Sequence, residues 1–110
     1  MNDNIMKQFR KGVLEIVILK LLSKREMYGY ELVAELNRQG NSFNIKEGTL
    51  YPILYRLEDN GLMATRWEQA VSRGQPKKYY SVTHKGTQFM EEAYAGWKAI
   101  TNDVTRIMED

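Results

Sequence analysis

Asn44-Ile45-Lys46-Glu47-Gly48-Thr49-Leu50-Tyr51-Pro52-Ile53-Leu54-Tyr55-Arg56-Leu57-Glu58-Asp59-Asn60-Gly61-Leu62, followed by the turn Ser72-Arg73-Gly74-Gln75-Pro76-Lys77-Lys78, is the stretch that decides the fold. Leu50, Ile53, Leu54 and Leu57 recur at helical spacing and form one inward stripe. Lys46, Glu47, Thr49, Tyr51, Tyr55 and Arg56 are left for the outer side. Pro52 has no N–H to donate and costs roughly 3 kcal/mol in a helix interior. That conflict eases if the regular helix starts near residues 47–49, because donors in the first turn have no partner anyway. Asn60-Gly61 supplies a left-handed cap that ends the helix sharply. Downstream, residues 62–69 are rich in β-branched and aromatic types, and residues 77–82 alternate polar with apolar. Both read as strands of an antiparallel hairpin whose turn holds Gly74, with Pro76 at its edge. A capped helix followed at once by a hairpin with cations at its tip is the layout of a winged helix-turn-helix. Such a module lays a helix in the major groove and a wing on the neighbouring backbone.

Upstream, apolar residues from Phe9 to Leu22 fall on a wide helical face, which predicts a first helix buried over most of its surface. A second helix is expected from about Tyr28 to Asn37, with a loop over residues 39–42. After the hairpin, Thr83 is a good N-cap. Behind it Gly86, Met90, Ala93, Trp97, Ile100, Val104 and Ile107 are spaced alternately four and three apart, a heptad seam on a helix about 40 Å long at ~1.5 Å per residue. Three short helices and a hairpin can cover little of that length. The seam therefore needs another chain, and Met90, Ala93, Trp97, Ile100, Val104 and Ile107 are the expected dimerisation residues. The partner's N-terminal helix is expected to pack there too. The fold expected is mostly α with a small β-hairpin: a winged helix-turn-helix over residues 1–83 and a dimerisation helix over 84–110.

Bulk properties agree. At 110 residues with 43% hydrophobic and 27% charged content, the chain suits one soluble globular domain. It has no cysteine, which excludes disulfides, thiolate metal sites and cysteine nucleophiles. Its longest apolar run, residues 13–22, is broken by Glu15 and Lys20, too short for a bilayer and without signal-peptide flanks, so a cytoplasmic location is expected. Charge is unevenly placed. Residues 1–83 hold 13 Lys/Arg against 9 Asp/Glu, a surplus of four, whereas residues 84–110 hold 3 against 5. Between Arg66 and Lys78 four cations face one anion, the footprint expected for phosphate contact.

Residues with catalytic or ligating spacing are missing. His84 stands alone at a helix start, and Glu91-Glu92 points to different faces of a helix. No GxGxxG or GxxxxGK[ST] pattern and no zinc signature occurs. Neither an enzyme nor a cofactor or metal is expected.

Double-stranded DNA is the partner this pattern favours. Lys46 suits guanine O6/N7 and Glu47 suits cytosine N4. Thr49 and Tyr51 suit phosphate or thymine-methyl contacts, and Arg56 and Gln75 complete the polar set. Arg66, Arg73, Lys77 and Lys78 would neutralise phosphates, with Arg73 able to enter a narrow minor groove. Of the adjacent pair Tyr79 and Tyr80, Tyr79 is expected outside. Two such units on a two-fold axis would meet an inverted repeat roughly 34 Å apart. The alternative is a helical dimerisation or adaptor module that grips a protein partner. A cation excess on the wing is superfluous to it.

The run Gly48 to Glu58 with Gly61-Leu62 resembles the recognition-helix signature of PadR-like transcriptional regulators. Pro76 to Thr83 with Gly86 resembles that family's strand-to-helix junction, and Tyr28-Gly29-Tyr30-Glu31-Leu32 resembles its second helix. The similarity spans about residues 8–100 and is greatest to the short subfamily with a single C-terminal helix. It implies a dimeric repressor whose last helix swaps against the partner's first. It also implies, for some short members, a planar hydrophobic or cationic effector held at the dimer interface. Trp97 matches the ligand-stacking tryptophan, with Ala93 one turn before it and Phe9, Ile16, Phe89 and Val104 around it. An indole there either packs the seam or touches the ligand. The Arg-Gly-Gln-Pro-Lys-Lys wing departs from the family's glycine–arginine run, and Thr101 stands where drug-sensing relatives can carry an acid.

Overall fold

Gly12 divides the first amphipathic stretch in two. A computed structural model of the chain, describing residues 3–40, 42–69 and 74–110, has α1 at Asp3–Lys11 and α2 at Leu14–Lys24. The single helix expected over residues 9–22 is therefore two. Glycine is about 1 kcal/mol worse than alanine inside a helix, and the Val13 N–H turns back to the Arg10 carbonyl at 3.0 Å. The break leaves α2 buried through Leu14, Ile16, Ile18, Leu19, Leu21 and Leu22, whereas Phe9 on α1 is 69% exposed.

A short strand precedes the second expected helix. Met27–Tyr28 forms β1, α3 follows over Gly29–Gln39, and α4 runs Glu47–Asp59. The Glu31 carboxylate accepts the Tyr28 N–H at 3.2 Å, satisfying a donor at the start of α3. Between α3 and α4, Asn37 acts as a substitute for a neighbouring strand. Its side chain donates to the Ile45 carbonyl at 2.9 Å and accepts the Ile45 N–H at 2.8 Å. This clamp, with Asn44 at φ 37°, fixes where α4 begins.

Pro52 lies in the second turn of α4, beyond the donors that are free by position. The carbonyl that loses its helical partner belongs to Gly48, four residues back, and both residues are exposed, so water can satisfy it. The helix ends as its sequence indicated. Gly61 sits at φ 74°, its N–H donates to Glu58 at 2.9 Å, and the Leu62 N–H donates to Leu57 at 3.0 Å. Leu57 and Leu62 are both buried beneath that cap.

The hairpin is as expected, but the sheet is larger. Strands β2 (Met63–Glu68) and β3 (Lys77–Val82) pair antiparallel, and β1 joins the far edge of β3, giving the order β1-β3-β2. Two residues are too short a run to read as a strand in isolation. The central strand carries Tyr80 into the core, where burial first and neighbouring Tyr51 next push its phenol up to about 12. Tyr79 stays half-exposed, as anticipated.

The last helix, α5 (His84–Met108), starts on a Thr83 cap whose Oγ1 accepts the Gly86 N–H at 3.0 Å. Gly86 and Met90 belong to the core. Beyond them the seam emerges: Ile100 is 66% exposed and Ile107 68%. Gly86 is packed so closely that a Cβ there would overlap the Leu62 carbonyl oxygen and lie 2.8 Å from Val82 Cγ2. Gly86→Ala should accordingly lower unfolding free energy by about 1–3 kcal/mol. Gly48→Ala, which meets nothing within 4 Å, should be neutral or stabilise by up to ~1 kcal/mol. Urea denaturation of the two variants beside the parent measures both, and equal midpoints would show that the close approach is not a constraint.

Candidate nucleic-acid interface

Helices α3 and α4 and the hairpin β2–β3 form a winged helix-turn-helix, in which the beginning of α4 is exposed. Lys46 is the residue before the first helical turn, with extended backbone at φ −119° and ψ 161°. Lys46, Glu47, Gly48 and Thr49 are all exposed. Their placement follows from the Asn37 clamp on one side and the buried Leu50, Leu54 and Leu57 on the other.

Tyr51 is half-buried rather than outward. Its ring lies against Gly29, where a Cβ would come within 2.7 Å of the phenol Cζ, and it stacks on Tyr55 with centroids 6.2 Å apart. Burial, then the Glu47 charge, raises its phenol above the ordinary value. Gly29 thus lets α3 and α4 approach closely.

The remaining cations are distributed unequally. Arg56 donates to Glu15 of α2 at 2.8 and 2.5 Å. Arg66 forms a fork with Glu26 and lies 4.7 Å over the Tyr79 ring; its hydrogen bond holds the Glu26 carboxyl below the usual range. Lys78 sits 3.4 Å from Glu58, whose other oxygen accepts from Thr65 at 2.9 Å. Lys77 lies 4.5 Å over the Tyr28 ring, and Gln75 is exposed near the hairpin turn. Arg73 falls outside the described residues. Exposed ion pairs contribute little net stability in water, so these carboxylates can yield their cations to phosphate oxygens. Sequence spacing singled out the cations but not their partners Glu15, Glu26 and Glu58, which are 41, 40 and 20 residues away in the chain.

A separate apolar cavity of 580 Å³ lies between α2 and α5, lined by Val13, Ile16, Val17, Phe43, Met90 and Trp97, together with Lys20, Glu91 and Tyr94. Two of the six residues expected around an effector, Ile16 and Trp97, line it, and Val104 does not. Phe89 and Ala93 pack on the core cluster instead, and Phe9 is out on α1. The Trp97 ring stacks on Tyr94 with centroids 6.0 Å apart and planes 16° from parallel. Tyr94 and Phe43 went unseen in the sequence. Tyr94 lies off the four-three seam, and Phe43 comes from a loop whose path the Asn37 clamp decides.

Residues 18–92 match the family model described as the transcriptional regulator PadR-like family. The chain is 31% identical over 99 residues to a transcriptional regulator of Mycobacterium tuberculosis, covering 90% of this chain and 89% of that one. Among solved structures, a PadR family transcriptional regulator from Eggerthella lenta superposes with a TM-score of 0.87 at 34% identity, covering 96% of this chain and 90% of that one. A PadR-like transcriptional regulator from Bacillus cereus gives 0.79 at 37% identity, with 94% and 98% covered.

Proposed function

This chain belongs to the PadR-like family of transcriptional regulators, and on that footing we propose that it is a homodimeric, sequence-specific repressor acting on an inverted-repeat operator. The observation that carries the reading is the exposed start of α4, where Lys46, Glu47 and Thr49 stand clear of the core beside a basic hairpin. In this reading residues 1–83 read the DNA and 84–110 hold the dimer. Lys46 and Glu47 meet base edges. Thr49, Arg56, Gln75 and the cations Arg66, Arg73, Lys77 and Lys78 meet the backbone and its margins, whereas Tyr51, half-buried against Gly29, positions α4. No helix among the described residues is long and apolar enough to cross a membrane, and the chain works in the cytoplasm, where its target lies. Catalysis has no part in it.

Pairing is supported by the outer half of α5. Trp97, Ile100, Val104 and Ile107 remain solvent-exposed within one chain, and a contiguous apolar stripe of that kind marks an interface. Phe9 on α1 is apolar and exposed as well, suited to the partner's α5. Ile100→Asp with Ile107→Asp should convert a particle of twice the chain mass into a monomer in light scattering. A parent that is itself monomeric at micromolar concentration would exclude the dimer.

The α2–α5 cavity supports release by a small planar hydrophobic effector. It has the size of a ligand site, and the Trp97–Tyr94 stack offers a flat aromatic face. Phe9, Phe89 and Ala93 would then be supporting neighbours rather than walls.

Two measurements test these assignments. In gel shifts on DNA upstream of the chain's own gene at fixed salt, Lys46→Ala should weaken binding by about 1–3 kcal/mol and relax sequence preference. Lys77→Ala/Lys78→Ala should weaken all sequences alike; undiminished binding by both variants would refute the groove assignment. For the cavity, a Trp67→Phe background leaves Trp97 as sole indole. A flat aromatic dye at tens of micromolar should quench its emission, and an unquenched signal would mean that Trp97 only packs.

A further inference from the structure

A second basic surface lies on the other side of α4 from the hairpin. Lys7, Arg10 and Lys11 of α1 share a groove of 560 Å³ with Lys46, Thr49 and Arg56 of α4. The three α1 cations recur at i, i+3 and i+4, so they occupy one face of that helix. Arg10 anchors the arrangement, donating from Nη1 to the Ser42 carbonyl at 3.2 Å in the loop that leads into α4.

Lys7, Lys11 and Lys46 differ from Arg66 and Lys78 of the hairpin in one physical respect. Arg66 and Lys78 are paired with carboxylates, as is Arg56. Lys7, Lys11 and Lys46 form no ion pair among the described residues and are exposed. An unpaired ammonium surrenders only water when it meets a phosphate. A paired one must also leave its carboxylate stranded. The groove also runs into Lys46 and Thr49, so it continues the reading surface instead of standing apart from it.

We infer that α1 is a second DNA-gripping element: Lys7 and Lys11 clasp the phosphate backbone beside the stretch of duplex that α4 enters. The inference rests on the DNA-reading function proposed above and adds a contact surface to it. Its α1 face is roughly opposite to the one carrying Phe9, so one short helix serves both the partner chain and the DNA.

Phosphate contacts are sequence-independent, so the test needs no operator. Fluorescence anisotropy on a labelled mixed-sequence duplex, titrated across a series of KCl concentrations, gives the slope of log Kd against log salt for the full chain. Lys7→Ala/Lys11→Ala removes four lysines per dimer and should reduce the slope by about 3 to 4, since each phosphate neutralised contributes about 0.9. Affinity at low salt should fall at least tenfold. Lys7→Arg/Lys11→Arg should restore both. Lys24→Ala/Lys98→Ala, which removes the same charge from exposed sites elsewhere, should change the slope by less than about 1. A parent-like slope in Lys7→Ala/Lys11→Ala, or an equal loss in Lys24→Ala/Lys98→Ala, would overturn the α1 contact while leaving DNA binding intact. So would a loss that tracks dissociation into monomers by light scattering. A parent that binds no duplex at any salt would remove the repressor reading itself, and this inference with it.

Discussion

The carbonyl of Leu62 is where this fold is closed. It accepts the Thr83 N–H at 3.1 Å and lies in the space that a side chain on Gly86 would need. The residue before it, Gly61, has its own carbonyl bonded by Thr83 Oγ1 at 2.7 Å, and Asn60 receives the Lys85 ammonium at 3.0 Å. Three successive carbonyls that trail from the end of α4 are thereby satisfied by the beginning of α5. Unmet backbone groups are costly when buried, so this junction does more than join two ends of a hairpin. It ties α4, the proposed reading helix, to the helix that carries the apolar seam. Without it α4 and the proposed dimerisation helix would be linked only through the short sheet and through α2. The spacing of two reading helices on an operator would then lack definition.

Charge is organised around the same frame. Each paired cation near the proposed DNA face takes its carboxylate from a different element: Glu15 from α2, Glu26 from the turn before β1, and Glu58 from α4 itself. Such pairs orient long side chains without adding much stability in water. The Arg66 guanidinium also lies over the Tyr79 ring, and the Lys78 ammonium lies near the Trp67 and Tyr80 rings. Lys46 at the start of α4 and Lys7 and Lys11 on α1 have no carboxylate partner among the described residues.

How much of this was legible depended on whether the cause was local. The α4 cap, the Thr83 cap and the hairpin follow from short-range chemistry, since Gly61 supplies positive φ and Thr83 a side-chain acceptor. The winged fold and the family were therefore readable from residues 44–86. The break at Gly12 was obscured because apolar residues continue on both sides of it, and periodicity alone cannot tell one long helix from two short ones in sequence. Strand β1 exists only because β3 passes beside it, so nothing in Met27-Tyr28 announces it. Tyr51 looked outward by helical angle, yet Gly29 opens a slot for its ring on α3. Candidate site residues were legible by type and much less by partner, because every carboxylate involved comes from folding at long range or across the hairpin.

Helix α2 connects the two proposed activities. Glu15 holds Arg56 of the reading helix, whereas the next residues, Ile16 and Val17, line the cavity against Met90 and Trp97. A ligand can shift an equilibrium only by as much as it prefers one state over the other. For an effector in this cavity the preference has an obvious origin: filling the space fixes the separation of α2 from α5. Arg56 lies in the last turn of α4, the end that the Leu62 junction holds to α5, so a change in that separation would bear on the Glu15–Arg56 contact. The coupling needs no long chain of contacts. One helix, beginning two residues past Gly12, presents adjacent side chains to both sites, and a rotation of that helix by a fraction of a turn would alter both at once.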